Sequence, residues 1–301
     1  MSRVLLTGAT GFVGRHAIAP LAAAGHEVHA VARRAPAGRR GAVWHEVDLL
    51  EPEAPAALAR RIGADRLLHF AWYAEPGRFW TSELNEEWRR ATVELVEAFA
   101  GAGGRRAVLA GSCAEYAWAP ETHCEEAATP LEPATPYGRA KHETRLAAEA
   151  IAARTGLSLA WGRVFFLFGP HEDPRRLGGA VARGLVRGEP VPTTHGEQVR
   201  DFLYSPELAE AFTALLGSGV TGAVNVASGR PVRLRDMVDA LARAARRPDL
   251  IRRGERPASA AEPAVLTADV RRLRDEVGWV PGLSLDDAAD RTIAWWRGQE
   301  S

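Results

Sequence analysis

A doubly wound parallel sheet of the α/β class, with a smaller C-terminal lobe, is the fold this sequence predicts, and three observations carry it. Short apolar, β-branched runs alternate with longer helical stretches through the first half, as in βαβ units whose sheet is covered on both faces. A glycine-rich loop joins the first run to the first helical stretch. Beyond Gly169 the rhythm breaks into Gly-, Pro- and Arg-rich connections with shorter helices. The size agrees: 301 residues, 46% hydrophobic and 25% charged, suffice for a sizeable core and exclude collagen-like or low-complexity structure.

Taken in order, strands are expected at 3–7, 27–32, 42–47, 66–70, 107–110 and 159–163, with helices at 11–24, 54–61, 85–100 and 136–154. The last helix has the strongest punctuation: Thr135 can cap it, Pro136 suits its first position and Gly156 its stop. After the break come helices at 177–187, 206–216, 234–245 and 285–296, and a strand at 223–226 that is expected to return to the first domain. Residues 1–165 with about 203–226 then form one domain, and about 166–202 with 227–301 the second lobe. The stretch 246–263, with three prolines and five arginines, reads as a surface loop.

Lys plus Arg equals Asp plus Glu at 38 each, so no overall field draws in nucleic acid or an anionic membrane, and any anion must be met locally. Two cysteines, Cys113 and Cys124, make neither a disulfide framework nor a paired zinc pattern, so no metal is expected. The opening MSRVLLT has no long apolar signal region, and no segment approaches about 18 uninterrupted apolar residues. The expectation is a soluble cytoplasmic protein.

Gly8-Ala9-Thr10-Gly11-Phe12-Val13-Gly14 follows an apolar strand and opens a helix. Glycines there let the backbone turn tightly and approach a pyrophosphate, whose charge is met by free N–H groups and the helix dipole. The spacing is G-x-x-G-x-x-G, a variant of the commoner G-x-G-x-x-G of the Rossmann-type dinucleotide fold. Arg33-Arg34 ends the second strand about 20 residues past the loop, where an acid would bind the NAD ribose and arginine accommodates a 2′-phosphate. The expected cofactor is therefore NADP(H), with NAD(H) possible; a solvated basic pair is the bland alternative. Asp48-Leu49 closes the third strand, where a carboxylate can accept from an adenine amino group or simply hold a turn.

Tyr137 and Lys141 stand four residues apart on an expected helix, hence on one face. A neighbouring cation stabilises a phenolate and brings its pKa toward the working range of an acid–base group. Gly111-Ser112 ends a strand, which places the hydroxyl at the carboxyl edge where such sheets bind ligands.

Together Gly8–Gly14, His69-Phe70-Ala71, Ser112 and Tyr137/Lys141 resemble the extended short-chain dehydrogenase/reductases, in their sugar-nucleotide-modifying branch. The resemblance covers nearly the whole chain, including Tyr116 four residues after Ser112, Arg163, Gly169-Pro170, Arg200-Asp201-Phe202 and Arg256-Pro257. It implies that Tyr137 is the general acid–base, that Lys141 lowers its pKa and grips the nicotinamide ribose, and that Ser112 positions the substrate oxygen. It implies further that Gly8, Thr10, Gly11, Phe12, Val13, Gly14, Arg33, Arg34, Asp48, Leu49, Ala71 and Val164 bind the cofactor. Arg200 and Arg256 would hold the diphosphate of a nucleotide sugar, with Trp72, Cys113 and Ala114 beside the sugar. A homodimer through the helices at 85–100 and 136–154 is also implied; Val93, Val96, Phe99, Leu146 and Ile151 could serve that interface or the protein's own sheet.

Two departures stand out. The family's N-x-x-G-T helix reads Trp88-Arg89-Arg90-Ala91-Thr92, with Asn85 one turn earlier, and its arginine-asparagine motif reads Arg163-Val164. The family's 4,6-dehydratases place Asp-Glu where Cys113 and Ala114 stand, so dehydration is not expected, and Cys113 is one residue off the acid–base cysteine of the 3,5-epimerase/reductases. The aromatic run from Trp72 to Trp80 can wall a sugar pocket or pack under the second lobe. Together with Cys113-Ala114-Glu115-Tyr116 it looks like reductases of nucleotide-linked 4-keto-6-deoxysugars. NADPH-dependent 4-keto reduction is the expected activity; the alternatives are a nucleotide-sugar 4-epimerase and a non-catalytic NADP-binding sensor.

Overall fold

Alternate residues of the central strands enter different hydrophobic cores, which is why those strands must be apolar throughout. Val4, Leu6, Leu68 and Val108 join Leu21, Leu208 and Phe212 on one face. Leu5, Leu67, Ala107 and Leu109 join Leu58, Leu95, Phe99 and Ile151 on the other. The structure is a computed structural model that describes residues 2–38, 41–259 and 262–300.

The first half runs β1 (Arg3–Thr7), α1 (Gly14–Ala23), β2 (Glu27–Ala32), β3 (Val43–Glu46), α2 (Ala54–Ile62), β4 (Arg66–His69), α3 (Leu84–Gly101), β5 (Arg106–Ser112), β6 (Glu121–Cys124), α4 (Pro136–Thr155) and β7 (Ser158–Val164). The rest runs β8 (Phe166–Phe168), α5 (Leu177–Arg187), β9 (Val191–Thr193), β10 (Val199–Arg200), β11 (Phe202–Tyr204), α6 (Ser205–Gly217), β12 (Gly222–Val226), β13 (Val232–Arg233), α7 (Leu234–Ala245), β14 (Ile251–Arg253), β15 (Val265–Ala268) and α8 (Leu285–Glu300).

Seven parallel strands in the order β12-β7-β5-β4-β1-β2-β3 form the central sheet. The expected return of the strand at 223–226 is met: β12 pairs with β7 at the sheet edge. The order reverses between β1 and β4, so the loops leaving those strands face one crevice at the carboxyl edge. The caps expected for α4 are present. Thr135 accepts from the Gly138 N–H at 3.1 Å, Pro136 opens the helix, and Gly156 ends it at φ +75°.

The second half holds structure that the sequence did not announce. A four-stranded sheet, β13-β10-β15-β6, and two parallel pairs, β8 with β11 and β9 with β14, use strands of two to four residues, too short for periodicity to register. The expected surface loop at 246–263 is corrected in part, because β14 within it pairs with β9 from Ile251 to Arg253. A separate core of Phe168, Leu185, Phe202, Leu241, Ile293 and Trp296 binds α5, α7 and α8. Of the residues offered for a dimer, Val96, Phe99 and Ile151 belong to the protein's own core, Val93 is partly buried against it, and Leu146 is 47% exposed.

Candidate active site

Backbone crowding makes the glycine loop what it is. Gly8 has φ +67°, and a Cβ there would lie 2.7 Å from the Ala71 nitrogen, so the loops after β1 and β4 meet only because residue 8 has no side chain. A Cβ on Gly14 would lie 2.2 Å from the Gly8 carbonyl. The loop closes through the Gly11 N–H donating to Gly8 O at 2.9 Å and leaves α1 to begin at Gly14. His69, ending β4, is buried between the hydroxyls of Thr7, 2.7 Å away, and Thr92, 3.0 Å away. Burial depresses its pKa to about 3, aided by the charge of Lys141, so the ring is a neutral strut.

One cleft of about 710 Å³ runs from this loop to the carboxyl end of β5. Gly8, Gly11, Phe12, Val13, Gly14, Trp72, Tyr137, Lys141 and Val164 all line it, so residues from four separate stretches of sequence converge as expected. Ala71 is buried behind Gly8, and the Thr10 carbonyl accepts from Arg15 at 2.5 Å. Arg33 and Arg34 stand exposed at the carboxyl end of β2, on the same edge of the sheet. Asp48 accepts from the Leu50 N–H at 3.1 Å in a turn after β3, and Leu49 is buried. The glycine cradle and the adjoining cleft fit a dinucleotide: nothing but hydrogen occupies the floor at Gly8 and Gly14, and the N-terminus of α1 opens onto it.

At the catalytic end, β5 delivers Ser112 into a short turn at Cys113–Glu115 that the serine itself caps, its Oγ accepting from the Ala114 N–H at 3.2 Å. Glu115 is the hidden anchor. Fully buried, it accepts from the Ser112 N–H and the Trp161 indole, each at 2.8 Å, and from Arg163 Nε at 3.1 Å. Arg163 also donates to the Tyr116 hydroxyl at 2.8 Å, which in turn donates to Asn225 at 2.7 Å. Arg163 and Tyr116 therefore brace the turn from beneath.

Tyr137 hydrogen-bonds Ser112 and lies in an aromatic cage. The rings of Phe79 and Trp80 stand edge-on to it at 4.9 and 5.6 Å, and the Tyr137 N–H donates to Trp80 O at 3.1 Å. The aromatic run after β4 thus packs on the tyrosine. Lys141, 4% exposed, donates to Ala110 O at 2.9 Å, with its Nζ 3.6 Å above the centre of the Trp72 ring. Burial lowers its pKa to about 7 against a partial counter-pull from Glu115. The expectation that this cation brings the Tyr137 phenol down is corrected: burial pushes the phenol up to about 12, only partly opposed by the Ser112 bond. The ammonium is turned toward a carbonyl and an indole, and the cage withholds the water that a phenolate needs.

The chain matches the model of the NAD dependent epimerase/dehydratase family over residues 4–227. It belongs to that family. It is 28% identical to a UDP-glucose 4-epimerase of Streptomyces lividans, covering 97% of this chain and 95% of that one. It is 27% identical to a GDP-6-deoxy-D-mannose reductase of Pseudomonas aeruginosa, covering 99% and 98%. A solved structure of MoeE5 in complex with UDP-glucose and NAD superposes with a TM-score of 0.84 at 29% identity, over 99% of this chain and all of that one. This member of the epimerase/dehydratase family is an enzyme of the nicotinamide-dependent oxidoreductase type with a Rossmann-like parallel sheet. Among the described residues no helix is long and apolar enough to cross a membrane, and no cluster of three metal-ligating side chains occurs.

The substrate-side residues are dispersed. Cys113 and Ala114 are 7% and 4% exposed and do not line the cleft, and burial raises the Cys113 thiol far above its ordinary range. Arg200 is 3% exposed, donates to Val199 O at 2.9 Å and lies over the Phe166 ring, whereas Arg256 is exposed. Sequence reasoning missed the wall opposite the glycine loop, where His171, Glu172, Arg175 and Arg176 meet Trp295 and Trp296 of α8. Arg15 reaches across to His171 at 2.5 Å, and Arg175 to Glu75 at 3.1 Å. The signal available was the Pro-His-Glu-Asp-Pro run after Gly169 and the Trp295-Trp296 pair.

Proposed function

We propose that this enzyme reduces the 4-keto group of a nucleotide-linked 4-keto-6-deoxyhexose, using NADPH. One observation carries the reading: the Tyr137 phenol at the end of the cleft is bonded to Ser112, and neither Glu115 nor Cys113 in the adjoining turn is free to move a proton. Glu115 is fully buried and committed to Ser112, Trp161 and Arg163, and the Cys113 thiol is held protonated by burial. Eliminating water from a sugar needs a separate acid and base, whereas reducing a ketone needs one proton donor and a group that orients the carbonyl. The phenol, held neutral, is in the form that donates.

When bound, the reduced nicotinamide supplies the hydride. The protein's part is to hold and protonate. Gly8, Thr10, Gly11, Phe12, Val13 and Gly14 would seat the pyrophosphate, with Ala71 and Val164 as walls and Asp48 and Leu49 at the adenine. Arg33 and Arg34, with no acid in the place that reads a free ribose, support a 2′-phosphate. Ser112 orients the ketone oxygen, Tyr137 gives it a proton, and Lys141 reaches the ribose. Trp72 would flank the sugar, and Arg200 with Arg256 the diphosphate, while Cys113 and Ala114, buried off the cleft, would only shape the turn that presents Ser112. We also read residues 1–165 with about 203–226 as the cofactor domain, the remainder as the sugar-nucleotide lobe, and α3 with α4 as a homodimer face.

The similarity to a UDP-glucose 4-epimerase favours a second reading, C4 epimerisation through a transient ketone. One experiment separates them: incubation with C4-deuterated NADPH and dTDP-, GDP-, CDP- and UDP-linked 4-keto-6-deoxyhexoses, and in parallel with a UDP-hexose and NAD⁺, read by mass spectrometry. Reduction consumes one cofactor per sugar and places deuterium at the sugar's C4. Conversion of a UDP-hexose with the cofactor unconsumed and no label in the product supports the epimerase.

A further inference from the structure

All but one of the chain's 38 basic residues are arginine, and the single lysine is Lys141. A guanidinium keeps its charge at any working pH, while an ammonium on a flexible stem responds to its surroundings, so the surroundings of this one lysine matter. Among the described residues it has no ion-pair partner. What meets its buried ammonium is Ala110 O at 2.9 Å and the face of Trp72, with Nζ 3.6 Å from the ring centre. A lysine merely packing on an aromatic residue lays its aliphatic stem on the ring; here the charged end sits on the centre of the face.

The indole is itself fixed. Trp72 Nε1 donates to Asn85 Oδ1 at 2.9 Å, and the Asn85 amide donates to Phe79 O at 2.6 Å and Ser82 O at 2.9 Å. Asn85 is 2% exposed, so every polar atom of that amide is committed to holding the aromatic loop against the start of α3. The family's polar helix motif is altered here, and Asn85 acts on the loop from one turn earlier.

We propose that Trp72 is a positioning residue for Lys141: its indole face, locked by Asn85, holds the ammonium at the Ala110 carbonyl, at the end of the cleft. The inference rests on the reading of Tyr137 and Lys141 as the working pair. The other ionisable groups facing the lysine are Glu115 from the turn after β5, which favours the ammonium, and His69 from β4, which is neutral. Tyr137 lies on the same helix, and its phenol is protonated. No second carboxylate is among the groups acting on the lysine, so the π face is the contact whose removal should be felt.

Because the chain has one lysine, lysine labelled with ¹³C and ¹⁵N yields a single side-chain signal, and its pH titration reads Lys141 directly without substrate or cofactor. The wild-type midpoint is expected near 7. Trp72→Leu, which keeps an apolar neighbour but removes the ring, should lower the midpoint by about 0.5–1 unit, with Trp72→Phe between it and the wild type. Asn85→Ala should move it the same way. An unchanged or raised midpoint in Trp72→Leu, with native circular dichroism, overturns the proposal, as does a Phe variant no nearer the wild type than the Leu variant. If the midpoints fall in the expected order but no 4-keto sugar is turned over, the proposed reaction fails while the Trp72–Lys141 contact stands.

Discussion

Replacing Lys141 by methionine should abolish turnover and at the same time stabilise the fold. The lysine is 4% exposed, and burial holds its pKa near 7 in place of 10.5. In the folded state the ammonium is therefore disfavoured, while the unfolded chain carries it freely. Between about pH 7 and pH 10.5 the unfolded state binds the extra proton, so wild-type stability rises with pH through that window and the penalty is fully present below it. At about pH 7 the penalty is roughly 4 kcal/mol, and at about pH 9.5 roughly 1 kcal/mol. Methionine matches the stem in length but loses the bond to Ala110 O, a loss of about 1 kcal/mol. The variant should gain about 3 kcal/mol near pH 7, or about 6 °C in Tm for a chain of this size, and almost nothing near pH 9.5. Urea unfolding of both proteins at the two pH values measures this directly. A variant less stable than the wild type at pH 7, or one whose advantage does not shrink with pH, would refute the reasoning.

Other expectations concern the remaining parts of the site. Tyr137→Phe should lower turnover by about 100-fold or more with cofactor affinity little changed; near-normal turnover would remove Tyr137 as proton donor. Arg33→Ala should weaken NADPH far more than NADH in fluorescence titrations, and equal losses would mean that the residue does not read the 2′-phosphate. Arg200→Ala and Arg256→Ala should each raise the sugar-nucleotide KM strongly, and an unchanged KM would leave that arginine a structural or surface group. Leu146, exposed on α4, should matter to association: Leu146→Arg is expected to shift sedimentation from dimer toward monomer, and a wild-type monomer mass at every concentration would remove the dimer.

Much of this protein was legible because the information is local. A strand such as Val4-Leu5-Leu6 that is apolar at consecutive positions implies cover on both faces, and both cores are found. Gly8, Gly11 and Gly14 are required by approaches within a few residues or between adjacent strands, and the Thr135, Pro136 and Gly156 caps of α4 act within a single helix. Tyr137 and Lys141 share a helix face by spacing alone. Tertiary structure decided where their side chains went. Lys141 turns to Ala110 and Trp72, and Tyr137 enters a cage built from the loop after β4, so burial pushes the lysine's pKa down and the tyrosine's up, the reverse of the expected direction for the tyrosine. Glu115 could not be told from a surface carboxylate until Trp161 and Arg163 of β7 came to it. The short strands of the second half, such as β15 on β6, exist only as pairings between distant segments, and the far wall of the cleft is made by residues 171–176 and α8. Spacing can report what neighbours in sequence do to one another; desolvation and long-range pairing depend on what the fold brings alongside.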